Sequence, residues 1–345
     1  MAATSRSPVV AGAASSASSL HPAPVAPPTA AARTTVTPTV APGANTSGER
    51  KYAYVGGYDT AKMADTLTHH LPAALRADNR WDSHSLDNLQ TLMSMIEADT
   101  SITDLRWVAY MLATAYWETN HVEKIEVPKT DRKGAVMKDK VGNIVMRKKG
   151  INVTLAPVNE SGQGKTRNYA RPVKVAVLPT GEIQVTEYDG DQFIVSTDGK
   201  IKNKPNLVNS HITSSMGTAP TLQAVRAYKD AAGDEHVYYG RGYVQLTWWS
   251  NYATAGPLLG LPAAFFLQDP EQALEASYAY KLMSLCMRTG AGFANKHKFE
   301  NYFSGHDREY QRARAMVNGT DHAAEIANIA RDFEDILWDA RKVTN

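Results

Sequence analysis

The chain of 345 residues has one cysteine, Cys286. That excludes an intramolecular disulfide framework, and its place in a helical apolar pattern reads as a small buried hydrophobe rather than a nucleophile. No apolar run approaches the ~18 residues that a membrane-spanning helix needs, so no membrane insertion is expected. Charge of one sign is lacking too. Lys and Arg number 37 against 35 Asp and Glu, a net +2, which is too weak to steer the whole molecule toward nucleic acid. His69-His70 stand together without His-Glu-x-x-His or Cys/His spacing, so no metal or cofactor is expected. Gly240-Arg-Gly242 lacks the Lys-Ser/Thr ending of a phosphate-cradling loop. The N-terminus also lacks a signal-peptide pattern. Arg6 is its only early cation, and PVVAGAASSASSL is broken by Ser and Gly. The expectation is synthesis in the cytoplasm, with export or lysis carrying the protein to a periplasmic or extracellular substrate.

Residues 1–48 are almost entirely Ala, Ser, Pro, Thr and Val. Lacking large apolar groups to bury, this segment reads as a disordered tail or linker. A folded domain is expected over 52–345. Helical spacing runs from Asp59 to Asp99, with Leu86, Leu89, Met93 and Ile96 on one face and Ser83 or Ser85 as cap. Ser101-Ile-Thr-Asp104 has capping-box form and opens a helix from Leu105 to Glu118. Leu105, Val108, Ala109, Leu112, Ala115 and Tyr116 form its apolar stripe. Glu118 falls at the edge of that buried face, beside Tyr116 and Trp117, where partial desolvation raises a carboxyl pKa. The bland alternative is a boundary glutamate reaching water.

From about 129 to 207 the helical period disappears. Runs at Gly142–Met146, Val173–Leu178, Glu182–Tyr188 and Gln192–Thr197 alternate with turn signals, which predicts a β-rich insertion. Arg147-Lys-Lys149, with Lys138 and Lys140, reads as a solvated hairpin face or as a grip on an anionic polymer. Helical patterns return from Asp269 to Gly290, from Arg308 to Val317 and from Ala323 to Arg341.

The densest stretch is Tyr238–Tyr252, YYGRGYVQLTWWSNY. After the glycines the period is two: Tyr243, Gln245 and Thr247 would share one face, and Val244, Leu246 and Trp248 the other. Uncharged hydrogen-bonding groups beside Trp and Tyr suit a sugar or a positioned water. The alternative is an edge strand with its polar face in solvent.

A desolvated acid and such a shelf are what inverting glycoside hydrolysis needs, together with a second group that activates a water. Leu112-Ala-Thr-Ala-Tyr-Trp-Glu-Thr119, Tyr239–Thr247 through Asn251-Tyr252, Ala315-Met-Val-Asn-Gly-Thr-Asp321 and, more weakly, Gly162–Tyr169 resemble glycoside hydrolase family 19, the chitinases and phage-type endolysins of the lysozyme-like superfamily. The resemblance implies a mainly α (α+β) class, a lysozyme-like two-lobed helical domain with the β-rich insertion and the tail appended. It implies Glu118 as general acid and Thr247 holding the attacking water. Gln245, Asn251 and Asn318 would bind N-acetylated sugars, and Tyr239 and Arg241 would line or brace the cleft. Trp117 stands where the family has His. For the second carboxylate, Glu126 fits the endolysin pattern better than Glu123. A continuous helix would hold Glu118 and Glu126 about 12 Å apart, whereas inverting carboxylates sit ~6.5–9.5 Å apart, so the chain must leave the helix near Asn120.

The resulting expectation is a glycosidase that inverts at β-1,4 bonds of N-acetylglucosamine polymers. Bacterial peptidoglycan is preferred over chitin, and a non-catalytic carbohydrate- or cell-wall-binding protein is the rival. The polysaccharide is the expected partner, with no nucleic acid, and the protein is expected to be a monomer.

Overall fold

A computed structural model describes residues 52–53, 57–76, 81–164, 173–187, 190–202 and 235–342. The tail at 1–48 and all of 203–234 lie outside these described residues, as does 165–169 of the weaker motif.

Helix α4 (Leu105–Thr119) organises the first core. Asp104 caps it, its side chain accepting from the Arg106 amide, so the capping signal at 101–104 is met by its last residue. The predicted apolar stripe is too narrow. Tyr110, Met111, Ala113 and Thr114 are buried as well, so the helix is enclosed nearly all round, as a central helix must be. Around it pack α1 (Thr60–His69), α2 (Ala73–Arg76), α3 (Ser83–Ala98), α7 (Ala276–Thr289), the short α8 (Tyr310–Ala313) and α9 (Ala323–Ala340). Asp82, not Ser83 or Ser85, caps α3, and Ser85 returns the bond. Gly290 stops α7 in the left-handed region at φ 74°, which glycine adopts without a steric penalty. Within this core the Glu334 carboxylate is fully buried and accepts from the Tyr310 hydroxyl and Arg308.

The second core is built on a sheet. Strands β4 (Val173–Val177), β5 (Ile183–Thr186), β6 (Gln192–Val195) and β7 (Glu235–His236) form an antiparallel sheet in the order β6-β5-β4-β7. Val173, Val175, Ile183, Val185, Phe193 and Val195 are buried at alternate positions, the period-two pattern of a one-faced sheet. They pack against α5 (Trp249–Leu258) and α6 (Ala264–Gln268). The Trp249 indole N–H donates to Glu187 at 2.6 Å across this core.

Two further pairs complete the described chain. β1 (Val122–Pro128) and β2 (Met146–Asn152) form an antiparallel hairpin, and β3 (Val158–Asn159) pairs with β8 (Arg241–Gly242). Of the described residues 46% are helical and 17% strand. This corrects the fold expectation: the chain is mixed α+β, not a mainly α lysozyme-like fold. The strands are not an ornament on a helical body, because they carry a hydrophobic core of their own. No helix among the described residues is long and apolar enough to cross a membrane.

Thr119 ties the segment after the β1–β2 hairpin to α4. Its buried hydroxyl donates to the Ala115 carbonyl and accepts the Leu155 N–H, both at 2.7 Å. Thr119→Val would strand that buried amide, so it should destabilise the fold by about 1–3 kcal/mol. Thr119→Ser should cost much less. Chemical unfolding of both variants measures the difference.

Candidate functional site

Helix α4 ends at Thr119, as the sequence required, and the chain turns away at Asn120. Glu118 therefore sits at the mouth of the helical core with its side chain 17% exposed, against a 1% exposed Arg314. Arg314 Nη1 lies 2.8 Å from Glu118 Oε1, a close ion pair. Burial pushes the Glu118 carboxyl above its ordinary pKa, and Arg314 offsets only part of that rise. Arg314 is itself aimed by its Nε, which donates to the Asp321 carbonyl at 3.0 Å.

A knot of polar side chains brings the next wall to Glu118. The Thr154 hydroxyl lies 2.6 Å from Asn152 Oδ1 and 3.1 Å from Asn120 Oδ1, and Asn88 Nδ2 donates to the Thr154 carbonyl. With the Thr119–Leu155 bond, these contacts hold residues 152–155 to the end of α4. The following segment forms β3 and pairs Val158 with Gly242 and Asn159 with Arg241. Glu160 N then donates to the Gly240 carbonyl at 2.7 Å, and Glu160 Oε2 accepts the Gly240 N–H at 3.0 Å. Glu160 is thus tied to Gly240 through both its backbone and its carboxylate.

The Tyr238–Tyr252 stretch is not the strand its alternation predicted. Only Arg241 and Gly242 are extended. The chain then turns, and Arg241 and Leu246 exchange backbone hydrogen bonds at 3.2 and 2.9 Å. Gly242, Gln245 and Trp248 all have positive φ, of 83°, 53° and 69°. Positive φ breaks the up-down alternation, so Tyr243 and Val244 are both buried while Trp248 is half-buried. Trp249, rather than Trp248, anchors the second core.

These pieces enclose one cleft of about 560 Å³. Glu118, Glu160, Gln245, Thr247 and Asn318 line it, flanked by Trp117, His121, Asn159 and Trp248. Trp117 packs against His322 with ring centroids 4.8 Å apart and the planes tilted by 39°. Asn159 Oδ1 is buried at the cleft without a hydrogen-bond partner. Gln245 is held by its own amide, which donates to the carbonyls of Val158 and Gly242.

No family model, curated protein or solved structure matches the chain.

Of the residues singled out in the sequence, Glu118, Gln245, Thr247 and Asn318 meet at this cleft. The others do not line it. Asn251 stands behind, its Nδ2 donating to the Thr247 carbonyl at 2.8 Å. Arg241 is fully buried, its guanidinium 3.8 Å above the Tyr239 ring and 2.8 Å from Glu271, so Arg241 and Tyr239 brace the loop from within. Glu126 lies outside the cleft lining. It is exposed on β1 opposite Lys148, because strand geometry carries the chain ~3.3 Å per residue outward from Val122. Glu123 is half-buried 3.6 Å from His121 and is also outside the cleft lining. The carboxylate that the sequence reading missed is Glu160. Its signal was present two residues before Gly162, where the weaker motif begins. Among the described residues no three His, Cys, Asp or Glu side chains gather as metal ligands.

Gly240 shows how tightly the loop is drawn. A Cβ there would lie 2.7 Å from Gln245 Oε1 and 3.2 Å from Gln245 Cβ. Gly240→Ala should cost about 1–3 kcal/mol, the usual cost of overpacking. The same change made in a Gln245→Ala background should cost clearly less, and a double-mutant unfolding cycle reads that coupling.

Proposed function

We propose that the protein is an inverting glycoside hydrolase that cuts β-1,4 bonds in N-acetylglucosamine-containing polymers, with bacterial peptidoglycan as the substrate. One observation carries the reading: two carboxyl groups, Glu118 and Glu160, line a single cleft from opposite walls. Burial raises the Glu118 pKa, as suits a general acid, while Glu160 is held in place by the Gly240 N–H.

In this reading Glu118 donates its proton to the glycosidic oxygen as the bond to the anomeric carbon breaks. Glu160 takes a proton from the water that attacks the opposite face, and the water oxygen becomes the new anomeric hydroxyl. Thr247 orients that water, and Asn251 fixes Thr247 from behind. Gln245 and Asn318 present amides to the N-acetyl groups, with Trp117 and Trp248 offering ring faces to the sugars. Arg314 restrains the rise in the Glu118 pKa and steadies the carboxylate left after proton transfer. The motif likeness to endolysin-type sequences supports peptidoglycan over chitin.

Purified peptidoglycan and chitin oligomers, offered separately, test the substrate. Turnover of peptidoglycan is expected, and turnover of neither would leave a binding protein. Glu118→Gln and Glu160→Gln should each lose at least ~10²-fold in kcat, the scale of general acid or base catalysis. Glu126→Gln should retain nearly wild-type activity. An equal loss from Glu126→Gln and none from Glu160→Gln would reverse the assignment of the base.

The pH dependence has a definite sign. A raised pKa keeps Glu118 protonated to higher pH, so the alkaline limb of kcat/KM should lie above the ordinary glutamate value of about 4.3. Arg314→Gln removes the offsetting charge and should move that limb further up in pH. A downward movement would refute the Glu118–Arg314 coupling.

A further inference from the structure

The hairpin that leaves the cleft wall at Val122 and returns at Asn152 is unlike the rest of the described chain. From Pro128 to Gly150 every residue except Val145 is exposed. It is nevertheless well formed. Lys129 N donates to Val145 O, Met137 N to Lys129 O and Val145 N to Met137 O, knitting three segments together. Two aspartates close its tips in the same way: Asp131 accepts the amides of Lys133 and Ala135, and Asp139 those of Val141 and Asn143. The arm is held by backbone bonds and has no core beneath it.

Its composition is also unlike the rest. Between residues 122 and 152 there are nine Lys and Arg against four Asp and Glu, a net +5 on a chain that totals +2. Two of the four acids, Asp131 and Asp139, are spent on the turns. The arm also carries almost all the exposed large hydrophobic side chains of the described residues. Val141 is 85% exposed at a tip between Lys140 and Gly142, with Ile144 at 51% and Val136 at 47%. A solvated cationic face has no use for exposed apolar groups, and monomeric surfaces seldom gather them.

We infer that this arm is a peripheral docking surface for an anionic phospholipid bilayer. Cations along the arm would sit among the headgroups, each worth a modest electrostatic attraction that salt screens. Val141, Ile144 and Met137 would enter the boundary between headgroup and acyl chain, the arrangement that interfacial segments use. The alternative occupants fit less well. Residues 122–152 contain no Phe, Trp or Tyr, so the arm has no platform for stacking sugars or bases. A polyanion would be gripped by the charges alone and would leave the apolar tips unused. Docking of this kind does not depend on what the cleft does.

The experiment is co-sedimentation of the full chain with vesicles of pure phosphatidylcholine and of equal parts phosphatidylcholine and phosphatidylglycerol. Binding to the anionic vesicles should be about tenfold stronger or more and should weaken as salt rises. Lys138→Ala/Lys140→Ala and, separately, Val141→Ser/Ile144→Ser should each reduce it several-fold. Lys281→Ala, on α7, should leave it unchanged. All these side chains are on the surface, so unfolding transitions should match the parent. Binding to neither vesicle would overturn the proposal. So would vesicle binding that survives Val141→Ser/Ile144→Ser while dextran sulfate competes fully, since that result means a polyanion grip.

Discussion

The arrangement at the cleft depends on one buried ion pair. Glu118 ends the most enclosed helix of the protein, and Arg314 reaches it from a short turn almost 200 residues later. Burying either charge alone would cost several kcal/mol, so each requires the other. The pair is therefore a constraint on topology as much as a contact. It holds the turn from Arg314 to Asp321 against the end of α4, and with it Asn318 and His322. It also leaves Glu118 under-compensated, because the pull of one guanidinium is smaller than the push of burial. A fully satisfied carboxylate would be more stable and would hold its proton less well.

The opposite wall follows from a different kind of constraint. Glu160 reaches the cleft because β3 pairs with β8 across some 80 residues of sequence, and because Thr119, Asn120 and Thr154 fasten the preceding segment to α4. The two carboxyl groups are thus placed by separate mechanisms, one by helix burial and one by strand pairing. The β1–β2 arm is inserted between them in sequence without separating them in space, since it leaves at Val122 and returns at Asn152, directly opposite in register. An excursion whose ends meet costs the fold little beyond loop closure.

This explains which parts could be read from the sequence. Helix α4 and its terminal glutamate were legible because burial, capping and period are local properties. Strands β4, β5 and β6 were legible for the same reason, through alternation and turn residues. The Tyr238–Tyr252 stretch misled because its alternation is real in sequence but is interrupted by left-handed residues. Gly242 advertises such a conformation, but Gln245 and Trp248 do not. Glu160 was hidden because a two-residue strand has no period to detect, and its partner lies far along the chain. Glu126 matches the motif, but leaving the helix at Asn120 leads the chain into β1, which carries Glu126 away from Glu118. The lysozyme-like architecture failed on a similar ground: turn signals announce strands but not that those strands will build a separate core.

The strained residues point to the cleft without any appeal to resemblance. Positive φ at a non-glycine costs of order 1–3 kcal/mol and survives only where surrounding structure over-determines it. Gln245 and Trp248 line the cleft, His322 packs against Trp117 of its lining, and Leu155 is held by Thr119 next to Glu118 in the chain. Gln163 follows Glu160 by three residues and bonds back to its carbonyl. Asn159 Oδ1 adds a buried polar atom without a hydrogen-bond partner at the same place. A fold selected for stability alone would have relaxed such features singly. Asn295 and Lys296 share the conformation outside the cleft lining, but the other five residues and Glu118 come from four segments that meet at or beside it, so the cost is met by packing elsewhere, in the two cores. The strain therefore buys a fixed set of polar groups facing a space that a ligand can occupy.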